Sequence, residues 1–462
     1  MKKKRRFPMP DAMVILFSLL LLVWIASFII PSGQFSTEGD SDIVIPGSFE
    51  QVDADPVGIL DLFLSVQNGL IESANLIFLV LIIGGAIAVI EQPGTINAGI
   101  KTLVDKTRGR KYLLIGIVSV VFGIISTLGM SANAVIAFIP LGIILARALD
   151  LDAIAGVSII YLGYYAGQAA AVFDPIILGV AQEIADVPIF SGYGLRIALF
   201  IILLAITILY VFNYVKKVSN DSSKSIMGSQ RFAEKDLKDE TESIPAFSLT
   251  HMIIVLLFFM TIGVFVYGSL QLDWGINELA AVFLINAILT ALISKQTPNS
   301  FVQTFMGGAK NILYGALIIG IASSIVELME EGMILDTIVN AVFIPLSYLS
   351  PMIGAIAMFV FNLFLNILIP SGSGQASVAM PLMTPLADLL DVTRQTAVIA
   401  FKLGDGITNM ITPISGVLMA VLAVGGVPYT KWLRYIMPLV GIWTVVGVIF
   451  VIIAVLINYG PI

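Results

Sequence analysis

The sequence predicts an all-α polytopic membrane protein built from two inverted-topology repeats, each with a re-entrant hairpin and a helix broken in mid-membrane. Three observations carry that prediction. Of 462 residues, 58% are hydrophobic and 12% charged, with a mean hydropathy of +1.00; a soluble domain carries about twice that charge. Special residues recur at a fixed distance: Pro140 and Pro381 lie 381 − 140 = 241 positions apart, and the same offset relates Asp150 to Asp391, Gly163 to Gly404 and Gln168 to Asn409. Upstream, Gly84 and Glu91 match Gly320 and Glu327 at 320 − 84 = 236. Finally, equivalent loops of the two copies differ in cation content, so the copies enter the bilayer from opposite sides.

Residues 1–30 form the first transmembrane helix. Lys2 to Arg6 precede an apolar stretch from Ala12 to Ile30 that is longer than the roughly 7–15 residues of a signal-peptide core, and more membrane sequence follows. The loop 31–56 carries Glu38, Asp40, Asp42, Glu50, Asp53 and Asp55 without one Lys or Arg, which places it outside. The N-terminal repeat occupies 57–215, with a cytoplasmic basic loop at Lys101, Lys106, Arg108, Arg110 and Lys111. Residues 216–250, mixed in sign and without apolar periodicity, read as a mobile cytoplasmic linker. The C-terminal repeat fills 251–462. Its segment Ile338–Ser350, equivalent to the basic loop, has no cation, whereas Lys431 and Arg434 sit opposite the cation-free Glu183–Ile189. The expected arrangement is nine crossings and two re-entrant hairpins, N-terminus inside and C-terminus outside.

Composition also excludes functions. There is no Cys and a single His251, which removes His/Cys metal centres, disulfides and haem ligation. No Gly-Lys dipeptide occurs, so there is no Walker loop. No cofactor, resident metal or nucleic-acid partner is expected; the partners are the lipid bilayer and a small-molecule substrate.

Hairpin one is expected to descend near Tyr112, turn at Gly129–Ala134 and return to Arg147. Hairpin two is expected to enter near Pro351, turn at Pro370–Gln375 and return to Asp388. In hydrocarbon, irregular backbone survives only where protein buries it or water reaches it, so two polar turns at mid-depth point to a binding site. Each hairpin is followed by a Gly-rich stretch, Gly163–Gln168 before Asp174-Pro175 and Gly404–Asn409 before Thr412-Pro413, read as the broken helices. The candidate substrate-binding residues are Ser131, Asn133, Gln168, Asp174, Ser371, Ser373, Gln375, Lys402, Asp405, Thr408, Asn409 and Thr412. The competing reading is helix packing, since small residues let backbones approach. Buried Glu91, Glu327 and Asp174 require a partner, water or protonation. Lys402 either pairs with Asp405 or binds a substrate carboxylate.

From Ile369 to Gln375, Arg394 to Ala397, Gly404 to Asn409 and Pro428 to Arg434, and in the opening Met-Pro-Asp and the Ile30–Phe35 exit, the chain resembles the YfcC-like branch of the C4-dicarboxylate anaerobic carrier family. The resemblance implies membership of the ion transporter superfamily, with a scaffold part that commonly forms a homodimer and a transport part that moves as an elevator. It also implies two substrate classes, dicarboxylates and, for relatives described as arginine/ornithine antiporters, basic amino acids. The branch often carries a neutral amide where this chain has Lys402. Relatives of the dicarboxylate/sodium type place Ser-Asn-Thr at the hairpin tips, which differs from Ser131, Asn133, Ser371 and Ser373 here, so a sodium site does not carry over.

The combined reading is a secondary active transporter of a small charged metabolite, an amino acid before a dicarboxylate, with Na+ or H+ both open as coupling ion. An amino acid needs acceptors of both signs, and helix-end donors with Asp405 or Asp174 supply them. An intramembrane protease would need Gly-x-Gly-Asp, where this chain has Lys402-Leu403-Gly404-Asp405. A passive channel shares the hairpins and is separated by saturable counterflow.

Overall fold

The computed structural model describes residues 12–37, 45, 47–54, 56–95, 98, 110–127, 132–174, 177–232, 247–272 and 274–460. Regular structure there is almost entirely helical, the exception being β1 (Gly33–Gln34) and β2 (Glu50–Gln51), a short antiparallel ladder. The first half holds α1 (Ala12–Ala26), α2 (Ile59–Glu72), α3 (Ala74–Glu91), α4 (Lys111–Thr127), a 3-10 segment (Ala132–Phe138), α5 (Ile139–Ala148), α6 (Ala153–Ala170), α7 (Ile177–Ile184) and α8 (Tyr193–Asn220). The second half holds α9 (Leu249–Gln271), α10 (Ile276–Ile293), α11 (Pro298–Glu331), α12 (Leu335–Phe343), α13 (Pro351–Leu368), α14 (Gly372–Leu389), α15 (Arg394–Thr408), α16 (Gly416–Gly425) and α17 (Tyr429–Leu456). Among the described residues, α3, α8, α11, α13 and α17 are long and apolar enough to cross a bilayer. With several shorter apolar helices beside them, they make a multi-pass membrane protein.

The helices fall into two groups. In the first, α11 runs antiparallel along α2 and α3, with Gly84 against Gly308 and Gly69 against Ser324, and α1, α9 and α10 pack around this pair. The second group holds α4 to α8 and α13 to α17. Its centre is α6, buried over its whole length, and α15, buried from Gln395 to Thr408. α16 joins the groups, touching α3 and α11 on one side and α5 and α6 on the other.

The sequence repeat has a local structural echo. Asp150 and Asp391 both take the left-handed conformation, φ 54° each, at the end of the second helix of their pairs. Two residues later Asp152 and Thr393 cap α6 and α15, accepting from the Ala155 and Thr396 backbone N–H at 2.9 and 3.3 Å. A side-chain oxygen there satisfies one of the donors a helix start leaves open.

Two expectations shift. The helix breaks do not fall in Gly163–Gln168 or Gly404–Asn409, which are helical to Ala170 and Thr408; they fall after these helices, at 171–174 and 409–415. These glycines serve close packing instead: a Cβ on Gly163 would stand 2.6 Å from the Ser119 carbonyl oxygen, and one on Gly404 2.5 Å from Asn362 Cβ. Each therefore seats a central helix against the first helix of its hairpin. The start of the linker is also different, because α8 continues through Lys216 and Lys217 to Asn220. Residues 222–232 are fastened to the body: Ser225 Oγ donates to Asp152 Oδ2 (2.5 Å), Arg231 Nη1 to Asp150 Oδ1 (2.6 Å) and Lys431 Nζ to the Met227 carbonyl (2.6 Å).

Candidate functional site

Where α6 ends and α15 ends, the two central helices cross: Gly406 lies against Ala169, and the Tyr161 hydroxyl donates to the Asn409 carbonyl (3.2 Å). Ala171, left-handed at φ 43°, stops α6, and the chain turns through Asp174 into α7. Asp174 Oδ1 accepts from the Ile177 backbone N–H (3.2 Å), which anchors the carboxylate at the start of α7.

Asp405 is the hub of the site. On α15, positions 402, 405 and 409 share one face. Lys402 Nζ stands 2.6 Å from Asp405 Oδ2 and 4.0 Å from Asp174 Oδ2, with both side chains of the first pair almost wholly excluded from solvent. Asn409 Nδ2 donates to Asp405 Oδ1 (2.9 Å), as does Asn366 Nδ2 (3.4 Å).

A chain of amides extends from this hub along α13 and the start of α14. Asn366 Nδ2 also donates to Gln375 Oε1 (2.8 Å); Gln375 Nε2 donates to Asn362 Oδ1 (3.0 Å) and to the Asn362 carbonyl (3.1 Å); Asn362 Nδ2 donates to the Met358 carbonyl (2.8 Å). Each amide is oriented by its neighbour, so the relay has one polarity. Asn366 must turn its NH2 toward the two acceptors Gln375 and Asp405, and its own Oδ1 is left buried with no donor among the described residues. The Thr412 hydroxyl is buried without a partner in the same sense. Buried polar atoms are nearly always paired, so these two are places where a bound group would be satisfied.

The candidate residues separate accordingly. Asp174, Gln375, Lys402, Asp405 and Asn409 meet in one network. Gln168 is buried one turn along α6 and accepts from the Tyr164 hydroxyl (3.3 Å), while Thr408 Oγ1 donates to the Leu363 carbonyl (3.0 Å). Ser371 is exposed and caps α14 by accepting from the Gly374 N–H (3.3 Å); Ser373 is exposed beside it, its carbonyl accepting from Ser377 Oγ (3.2 Å). Asn133 is half-buried in the 3-10 segment, and among the described residues no hydrogen bond ties it to the network. Ser131 lies outside the described residues. Glu91 and Glu327 belong to α3 and α11, in the other helix group.

Sequence reasoning missed Asn362 and Asn366. The signal was present as two Asn four apart in the apolar run Phe361-Asn362-Leu363-Phe364-Leu365-Asn366. It also missed a second buried cluster, where Arg196 Nη2 donates to the Ser191 carbonyl (2.5 Å), Arg196 Nη1 to Gln395 Oε1 (3.3 Å), and Gln182 Nε2 to the Ser191 carbonyl (3.1 Å). Among the described residues no group of three or more His, Cys, Asp or Glu converges.

Comparison with known proteins adds family information. The model of a family described as C4-dicarboxylate anaerobic carrier matches residues 9–456. An Escherichia coli (strain K12) protein provisionally named basic amino acid antiporter YfcC is 30% identical over 501 residues, covering 99% of this chain and 98% of its own. An uncharacterised Haemophilus influenzae protein is 28% identical over 502 residues, covering 98% of each. Among solved structures, the Alcanivorax borkumensis YdaH transporter overlays with a TM-score of 0.43 at 16% identity, covering 98% of this chain and 100% of that one. Neisseria gonorrhoeae MtrF, described as one of a class of antimetabolite efflux pumps, gives 0.41 at 17%, covering 97% and 96%.

Proposed function

This chain belongs to the C4-dicarboxylate anaerobic carrier family, and from that premise we propose that it is a secondary active transporter exchanging basic amino acids, in the manner of an arginine/ornithine antiporter. One observation carries the substrate class: the ionisable side chains at the centre are Lys402, Asp405 and Asp174, a formal charge of −1. A basic amino acid, net +1, brings the loaded site to zero. A dicarboxylate, net −2, brings it to −3 inside a wholly buried network, where like charges cost most. The unpartnered Asn366 oxygen is an acceptor and matches ammonium or guanidinium donors, while the Thr412 hydroxyl can donate or accept. The relative named as a basic amino acid antiporter agrees with this choice. The alternative, an ion-coupled C4-dicarboxylate carrier, draws on the family description and on Lys402 as the one central cation.

Alternating access of an elevator type is supported by the division into two helix groups joined through α16. The group of α1–α3 and α9–α11 is then the scaffold and the surface of a homodimer; α4–α8 and α13–α17 carry the site. Inverted repeats are supported by the antiparallel crossings of α3 with α11 and of α6 with α15. Sidedness follows the loop charges. Segments read as cytoplasmic meet one another, His251 Nε2 with the Pro93 carbonyl (3.0 Å) and Lys431 with Met227. Segments read as external do the same: the Phe35 N–H donates to Asp336 Oδ2 (2.9 Å), Arg394 to Asp186 (3.4 Å). In this reading the protein lies in the plasma membrane with its N-terminus cytoplasmic.

The test is uptake of radiolabelled arginine into proteoliposomes that are empty or preloaded with ornithine, with succinate and aspartate as competitors. Exchange that requires internal ornithine is the expected result. Block by succinate, or uptake into empty vesicles driven by an ion gradient, overturns the substrate reading in favour of the carboxylate carrier.

A further inference from the structure

The position of Lys402 has a consequence for coupling that holds whichever charged metabolite is carried. Asp174 comes from the break after α6 and Asp405 from the end of α15, so the two carboxylates belong to the two central elements. Between them, 2.6 Å from one and 4.0 Å from the other, stands an ammonium group with no exposure to solvent. Asp405 Oδ1 is held in turn by the Asn409 and Asn366 amides. Two buried carboxylates at the ends of the two central helices make a site that suits a small hard cation, and discontinuous helices in transporters hold coupling ions in this way.

We infer that Lys402 is a built-in coupling cation: its Nζ fills the place of a monovalent metal ion between Asp405 and Asp174, so the carrier does not bind Na+. The ammonium is tethered to α15 and moves with it. A dissociable ion lets a carrier draw on that ion's gradient, and a tethered one does not. The positive charge crosses back with the protein, which leaves exchange of substrates, or protons, to drive the cycle.

The converse follows from the geometry. Lys402→Met or Lys402→Gln leaves the two carboxylates without their cation, and a free monovalent ion takes its place. The experiment is thermal unfolding of the purified full-length protein in detergent, in choline chloride, NaCl, KCl and LiCl at equal ionic strength and without substrate. The wild type is expected to unfold at the same temperature in all four salts. Lys402→Met and Lys402→Gln are expected to unfold earlier in choline and to regain about 3 °C or more in at least one small cation, saturably. Lys402→Met with Asp405→Asn loses that response. Selective stabilisation of the wild type by Na+ over choline overturns the inference, as does a salt-independent midpoint in whichever of the two variants folds. If neither folds in any salt, the wild-type comparison still decides. None of these readouts involves arginine, so failure here and failure of the amino acid reading are distinguishable.

Discussion

Asp405 accepts from three donors with two oxygens: Lys402 Nζ at 2.6 Å, Asn409 Nδ2 at 2.9 Å and Asn366 Nδ2 at 3.4 Å. Asp405→Asn offers one oxygen and turns an NH2 toward a donor. Breaking a buried ion pair by removing one partner costs about 3–5 kcal/mol, and a stranded buried donor about 1–3 kcal/mol. The two overlap, since Lys402 is counted in both. Lys402 also keeps Asp174 at 4.0 Å, and with attraction falling as 1/r that retains about two fifths of the combined Coulomb energy. The expected loss is therefore near the lower bound, about 3 kcal/mol. Lys402→Met costs more, because it leaves two carboxylates uncompensated. The double variant removes both charges of the close pair but leaves Asp174 without its cation, so it keeps a loss of about 3 kcal/mol. The two single losses, together above about 6 kcal/mol, should therefore exceed the loss in the double variant by about 3 kcal/mol. The assay is equilibrium unfolding of all four proteins in one detergent, followed by the fluorescence of buried Trp432 and Trp443. Losses that add to within about 0.5 kcal/mol would show that Lys402 and Asp405 do not act as a pair and would refute the charge count at the centre.

Other consequences are independent of that cycle. Gly404→Val drives side-chain carbon into Asn362, whose Cβ and carbonyl carbon stand 2.5 and 2.7 Å from a Cβ there; separation of α13 from α15 should appear as loss of monodisperse protein on size exclusion, and an intact peak would show the packing to be slack. Arg394 holds the Asp388 carboxylate below its ordinary value by hydrogen bonding and charge. A depressed carboxylate contributes stability above its unfolded pKa of about 3.8 that is lost as pH falls further, so the wild type should lose stability below about pH 4 more steeply than Asp388→Asn, by less than about 1 kcal/mol at this exposed pair. Lys431→Met removes the bond to the Met227 carbonyl and should speed tryptic cleavage at Lys224 and Arg231, read by mass spectrometry; unchanged rates would mean that Ser225 and Arg231 hold the segment unaided.

The repeat was legible because its markers are backbone devices. A residue that must turn left-handed, as Asp150 and Asp391 do, or seat one helix on another, as Gly163 and Gly404 do, leaves the same trace in both halves. The location of the breaks was not legible from glycine content. Glycine permits both a broken helix and a close-packed one, and the neighbour that decides between them, Ser119 or Asn362, is distant in sequence. Asn362 and Asn366 escaped for the opposite reason. Their counterparts at the 241-residue offset are Val121 and Ile125, so a search for matched polar residues passes over them.

That mismatch bears on what the site binds. At the same offset Lys402 answers to Tyr161, Asp405 to Tyr164 and Asn409 to Gln168. The crossing of α6 and α15 therefore joins a charged half to a tyrosine half, with Tyr161 bonded to the Asn409 carbonyl and tilted against Tyr165, ring centroids 4.6 Å apart. The ends of α6 and α15 meet at this crossing, and the different side chains they carry give them different tasks. In the proposed reading the Asp405 carboxylate of the charged half, with Asp174 beyond α6, attracts a cation, and a ring face presented to it from the other half would add about 0.5–2 kcal/mol where the group is desolvated. Neither half rewards a second negative charge. Under the proposed function, Tyr161 and Tyr164 thus favour the same substrate sign as the formal charge of the network, from side chains that the charge count does not use.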